Sequence, residues 1–81
     1  MERAVFVTGG TVGSGLAIAE RFAKEGYNVV ITSRSGERAS EAAKKVAEKY
    51  GVKGYGYALD IRDEQRVRDI FSDIDKNGLF V

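Results

Sequence analysis

Four glycines fall within the seven residues 9–15, in the stretch Thr8-Gly9-Gly10-Thr11-Val12-Gly13-Ser14-Gly15. An apolar, β-branched run, Ala4–Thr8, precedes them, and a helix-like pattern follows from Gly13. Such a turn suits the binding of phosphate. The N-terminus of a helix presents N–H groups without partners in the helix and carries a partial positive charge. Glycine lets the backbone come close to an anion and accepts positive φ. The spacing therefore predicts a pyrophosphate on Gly13–Leu16, with Gly9, Thr11, Val12, Gly13, Ser14 and Gly15 as the binding turn. The same residues also fit a tight strand-to-helix loop that holds nothing, since ten glycines in 81 residues make chance spacing a real alternative.

A second group of residues decides which dinucleotide such a turn would take. After the next apolar run, Val29–Thr32, stands Ser33-Arg34-Ser35, with no acid before Glu37. At this place an acidic side chain binds a ribose 2′-hydroxyl, whereas a cation accommodates a 2′-phosphate. Arg34 offers a planar fork of donors, and Ser33 and Ser35 add hydroxyls. The prediction is NADP(H); the plain alternative is an exposed arginine beside a helix cap.

The elements that must position these residues can be read from periodicity. Ala4–Thr8, Val29–Thr32 and Lys53–Leu59 read as buried strands, the third weakened by Gly54 and Gly56. Gly13–Glu25 reads as a helix with Leu16, Ala19 and Ala23 in one stripe and Ile18 and Phe22 beside it. A second helix follows Ser35 as cap, with Ala39, Ala42, Ala43, Val46, Ala47 and Tyr50 on its apolar face, and ends at Gly51. Asp63 can cap a third, with Val67, Ile70, Phe71 and Ile74 inward. Asn77-Gly78 turns the chain into Leu79–Val81, the start of another strand. The order β-α-β-α-β-α with a truncated fourth strand predicts an α/β, Rossmann-like domain of three layers, built on a parallel sheet of order 3-2-1.

Composition narrows the remaining classes. The chain is 43% hydrophobic and 31% charged, with a formal net charge of +1, a balance that points to neither nucleic acid nor an anionic membrane as partner. It contains no histidine and no cysteine, so the commonest general base and the thiolate metal sites are missing. This fits a cytoplasmic protein. Tyr55 and Tyr57 share a strand face and read as packing. Asp69, Asp73 and Asp75 lack the spacing of a metal loop and read as surface.

Thr8-Gly9-x-x-x-Gly13-x-Gly15 resembles the glycine motif of the short-chain dehydrogenase/reductases, in their compact single-domain branch; the extended branch would carry glycine where Val12 stands. The stretch "AIAERFAKEGYNVVITSR" is similar to the region after that motif in ketoacyl-carrier-protein reductases. The sequence departs from the usual pattern at Val12 and Ser14. The resemblance implies that Asp60 accepts a hydrogen bond from the adenine amino group and that Ile61 packs on the ring. Asp60 or Asp63 as a plain helix cap is the competing assignment.

The resemblance also implies a catalytic serine and a Tyr-x-x-x-Lys pair, and none is present: Tyr27, Tyr50, Tyr55 and Tyr57 are followed four residues later by Ile31, Gly54, Leu59 and Ile61. No catalytic residue is therefore expected within residues 1–81, which read as a partial dinucleotide-binding domain. The expected whole is a reductase that uses NADPH on a carbonyl, such as a 3-oxoacyl thioester. Two other readings stand beside it. One is a self-contained small α/β protein, natural or designed, with a structural or partner-binding role; the other is an enzyme completed by a separate chain. With the fourth strand cut short, the apolar first strand becomes a sheet edge. That predicts self-association, with Leu79–Val81 pairing in trans.

Overall fold

The computed structural model describes residues 2–9 and 13–81. Along the chain the elements are β1 (Glu2–Thr8), α1 (Gly13–Lys24), β2 (Asn28–Ser33), α2 (Gly36–Tyr50), β3 (Gly54–Ala58), α3 (Glu64–Lys76) and β4 (Leu79–Phe80). The four strands form one parallel sheet of order β3-β2-β1-β4. β2 is its spine: Val29, Val30 and Ile31 are completely buried, which explains why its sequence shows a continuous apolar run rather than alternation.

Alternation instead divides the two cores. Val7, Val29 and Ile31 meet Ala19 and Ala23 of α1 and Ala39, Ala43 and Val46 of α2 on one face. Ala4, Val30 and Leu59 meet Ile70 and Ile74 of α3 and Leu79 of β4 on the other. The helices bring mostly alanine to the first face, and the glycines of β3 are the reason α2 closes on it so tightly. A Cβ on Gly56 would overlap the α2 backbone at Ala39 and Ser40, and one on Gly54 would overlap the Ala43 carbonyl. Gly54 and Gly56, which by strand propensity weaken β3, are thus what lets α2 rest directly on it.

Two expectations are corrected, and the flanking place of Ile18 and Phe22 stands. The fourth strand does not wait for another chain: Leu79 and Phe80 pair in cis with Glu2 and Arg3, and the Glu2 N–H donates to the Gly78 carbonyl at 3.1 Å. Ile18 and Phe22 flank the α1 stripe but remain 48% and 39% exposed. Phe71 is 42% exposed and stacks on Phe6 with ring centroids 5.0 Å apart, because α3 turns only Ile70 and Ile74 fully into the core. The rest of the reading stands within a residue or two at the element ends, with Ser35 and Asp63 as the helix caps. No helix among the described residues is long and apolar enough to cross a membrane.

Candidate functional site

The carboxyl ends of β1, β2 and β3 open onto a cavity of ≈ 360 Å³. Its wall runs from Thr8 and Gly9 at the end of β1, through Thr32, Ser33 and Arg34 after β2, to Leu59, Asp60, Ile61 and Arg62 after β3. In an open α/β sheet this is the ligand-binding end. A groove of ≈ 400 Å³ also lies between α1 and α2, floored by Leu16, Ala42 and Val46. That groove carries Leu16 but none of Gly9, Ser33, Arg34, Asp60 or Ile61, and Glu20 and Lys49 on its rim neutralise one another at 3.2 Å. The strand-end cavity is therefore the candidate.

Gly9 leaves β1 with φ 65°, and its N–H donates to the Thr32 carbonyl at 2.7 Å. Its own amide is thus committed to the sheet, and the glycine serves the turn through its conformation. Gly13, the first residue of α1, has φ 63°. This left-handed region favours glycine at both positions. Among the described residues, a Cβ on either would meet nothing within 4 Å. Ser14 and Gly15 continue the first turn of α1, which contains no acidic residue, whereas α2 and α3 begin with Glu37 and Glu64. The positive end of α1 is therefore left uncompensated in its first turn. Thr11 and Val12 lie outside the described residues.

Beyond β2 the two serines hold the backbone. The Ser33 hydroxyl donates to the Ser35 carbonyl at 2.6 Å and accepts from the Ser35 N–H at 3.2 Å. The Ser35 oxygen accepts from the Arg38 N–H at 3.3 Å and caps α2. The Ser33 proton is thus occupied within the turn, and only the Ser35 hydroxyl keeps its proton for a ligand. Arg34 between them is exposed, borders the cavity, and takes no part in the ion pairs of the described residues.

Beyond β3 the arrangement is reversed, because the acid is held by a neighbouring cation. Asp60 Oδ1 accepts from the Arg62 N–H at 3.0 Å and from Arg62 Nε at 3.1 Å, while Oδ2 accepts from Arg62 Nη2 at 2.8 Å. These side-chain and backbone bonds from Arg62, helped by the more distant charge of Arg34, hold the Asp60 carboxyl down at about 2. Asp63, not Asp60, caps α3 through the Arg66 N–H at 3.0 Å. Ile61 is 70% exposed at the cavity wall. The sequence reading passes over Arg62, although the Asp-x-Arg spacing at a strand end is the signal that could have found it. Tyr57 packs against the α3-side core; its hydroxyl donates to Asp73, and burial followed by that bond pushes the phenol above its ordinary range.

A family model described as "short chain dehydrogenase" matches residues 3–78. The chain belongs to the short-chain dehydrogenase family. Among curated members it is 46% identical over 68 residues to 3-oxoacyl-(acyl-carrier-protein) reductase of Aquifex aeolicus, covering 84% of this chain and 27% of that one. It is 38% identical over 77 residues to a chloroplastic chlorophyll(ide) b reductase of Arabidopsis thaliana, covering 95% and 22%. Among solved structures, the L-sorbose reductase of Gluconobacter frateurii complexed with NADPH and L-sorbose superposes with a TM-score of 0.82 at 37% identity, over 93% of this chain and 28% of that one. The chain thus spans about a quarter of the length of the short-chain dehydrogenases it matches. It has their dinucleotide-binding type of fold, and its strand-end cavity lies where an open sheet of this kind takes its ligand.

Proposed function

We propose that residues 1–81 are the NADP(H)-binding N-terminal part of a carbonyl reductase, a partial dinucleotide-binding domain whose proton-transfer residues lie beyond this chain. The observation that carries the choice of cofactor is Arg34: an exposed guanidinium at the cavity wall, outside every ion pair of the described residues, at the place where an acid would select NAD. The L-sorbose reductase relative, solved with NADPH, supports it. So does the alcohol dehydrogenase of Thermococcus sibiricus complexed with 5-hydroxy-NADP, at 27% identity and a TM-score of 0.82.

The residues present fit the group. No described residue crowds Gly9 or Gly13, which leaves their backbone to take a pyrophosphate. The acid-free first turn of α1 leaves its N–H groups to hold that pyrophosphate. Arg34 and the Ser35 hydroxyl bind the 2′-phosphate. Asp60 accepts from the adenine amino group, and the exposed Ile61 covers the ring. When bound, NADPH supplies the hydride that reduces the carbonyl. The substrate class is a 3-oxoacyl thioester, for which the 46% identity to the Aquifex aeolicus reductase is the support.

The test is a ¹⁵N–¹H NMR titration of the chain with NADP⁺ and then with NAD⁺. Shifts at Gly9, Gly13–Leu16, Arg34 and Asp60 that are larger with NADP⁺ are expected. A folded chain with no shift at millimolar concentration of either dinucleotide would make the glycine turn scaffold only. The 81-residue chain also retains an open edge: beyond Glu2 and Arg3, β1 has no strand beside it on the β4 side among the described residues, and Phe22, Ile18 and Phe71 are exposed. Self-association of this chain through that edge is part of the proposal. Sedimentation showing only monomer at high concentration would remove it.

A further inference from the structure

We propose that Arg62 is a positioning residue for the adenine end of the cofactor, fixing the Asp60 carboxylate so that a single acceptor site on Oδ2 remains for the adenine amino group. The inference rests on the cofactor reading above and adds a residue that the glycine motif does not include. Its basis is a count of donors and acceptors. A carboxylate offers about four acceptor sites, two on each oxygen. Oδ1 accepts twice, from the Arg62 N–H and Nε, and Oδ2 accepts once, from Nη2. One site is left, and it is on Oδ2.

The pair is not an ordinary surface contact. Exposed ion pairs usually contribute little because two long side chains must be held still. Here the fork meets the carboxylate with two parallel bonds, while the Arg62 backbone N–H closes a turn onto the same Oδ1. The turn is fixed at both ends as well. The Asp63 N–H donates to the Asp60 carbonyl at 2.9 Å, and Arg66 Nε holds the Ala58 carbonyl at 2.9 Å. Asp60, Ile61 and Arg62 all line the cavity, so what the turn fixes is part of its wall. Without the guanidinium, the carboxylate keeps only the backbone bond and is free to rotate about its side-chain torsions.

The probes are NADP⁺ and its deamino analogue, in which hypoxanthine replaces adenine and the amino group is missing. Binding of each to the wild-type chain, to Arg62→Ala and to Arg62→Lys is measured by NMR titration. Arg62→Ala is expected to lower affinity for NADP⁺ about fivefold and to leave affinity for the deamino analogue unchanged. Arg62→Lys is expected in between, because an ammonium supplies a donor without the planar fork. A role confined to the folding of the turn would lower both affinities alike; that result, or no change in either, overturns the inference while NADP⁺ binding itself survives. If the wild-type chain binds neither dinucleotide, the cofactor reading fails and takes this one with it.

Discussion

The turn after β2 and the turn after β3 use the same parts for opposite ends. Each follows a parallel strand, each ends in a side-chain cap, Ser35 or Asp63, and each carries an arginine at the wall of one cavity. After β2, short hydroxyls satisfy the backbone and the arginine is left over, a charge available to an external anion. After β3, the arginine is consumed by the aspartate two residues before it, and the product is a fixed acceptor. On the proposed cofactor reading, whether the cation at a strand end is paired locally is what suits that end to an anion or to an amino donor.

Both turns depend on α2. The helix starts at the first turn and lies over β3, whose end carries the second. The harshest way to break the comparison is therefore Gly56→Ala. Its Cβ would collide with the α2 backbone at Ala39 and Ser40, neither of which is a flexible side chain that can swing aside. The expected cost is about 3 kcal/mol, a large part of the stability available to a domain of this size. Urea denaturation measures it, and a change below about 0.5 kcal/mol would mean that α2 does not rest on β3 as described.

Arg34→Ala comes next, because it removes the unpaired cation while leaving both caps intact. It is expected to weaken NADP⁺ binding about tenfold and to change NAD⁺ binding little. Equal losses for the two dinucleotides would show that Arg34 does not read the 2′-phosphate. Smaller still are the caps. Ser35→Ala and Asp63→Ala should each lower stability by about 1 kcal/mol, read from the shift of the denaturation midpoint. If only one of them does so, the two turns are less alike than their geometry says.

Ser35 and Asp63 were legible in the sequence because a cap is a local device: the residue and the N–H it accepts lie three positions apart. The alternation of strands and helices was legible for the same reason, since buried parallel strands and helical stripes leave their own periods. Gly54 and Gly56 were not, because their reason lies in α2, a partner that strand propensity does not name. Ile18, Phe22 and Phe71 fit helical periodicity yet stay partly exposed, since a period marks a face without saying how far the neighbouring layer reaches across it. The strand beginning at Leu79 showed itself, but the pairing of Leu79 and Phe80 with Glu2 and Arg3 is long-range and invisible to a window of residues. At the site, Arg34 stood out by type and place. Arg62 did not, because its role depends on which rotamer meets Asp60. Thr11 and Val12 lie outside the described residues.

The smallest effect is the sharpest probe of the second turn. Asp60 is held at about 2 against an ordinary value of 3.8, first by the side chain and backbone of Arg62. A carboxyl whose folded value is depressed favours folding above its unfolded value, and that contribution disappears as pH falls through the folded one. The stability supplied by Asp60 is therefore complete above about pH 4 and is lost between there and about pH 2. The wild-type curve alone does not isolate this one group. The difference between wild type and Arg62→Ala does. In the variant the Asp60 carboxyl, followed by its ¹³C shift, should titrate higher, moving toward but not reaching its ordinary 3.8 because the backbone N–H of residue 62 still holds it, and the extra acid sensitivity of the wild type should shrink. The same titration on Arg34→Ala should move Asp60 far less, because Arg34 acts on it only through distant charge. Equal movement in the two variants would mean that the cavity wall reads Asp60 through its overall positive field. The division between a free and a consumed arginine would then collapse into one.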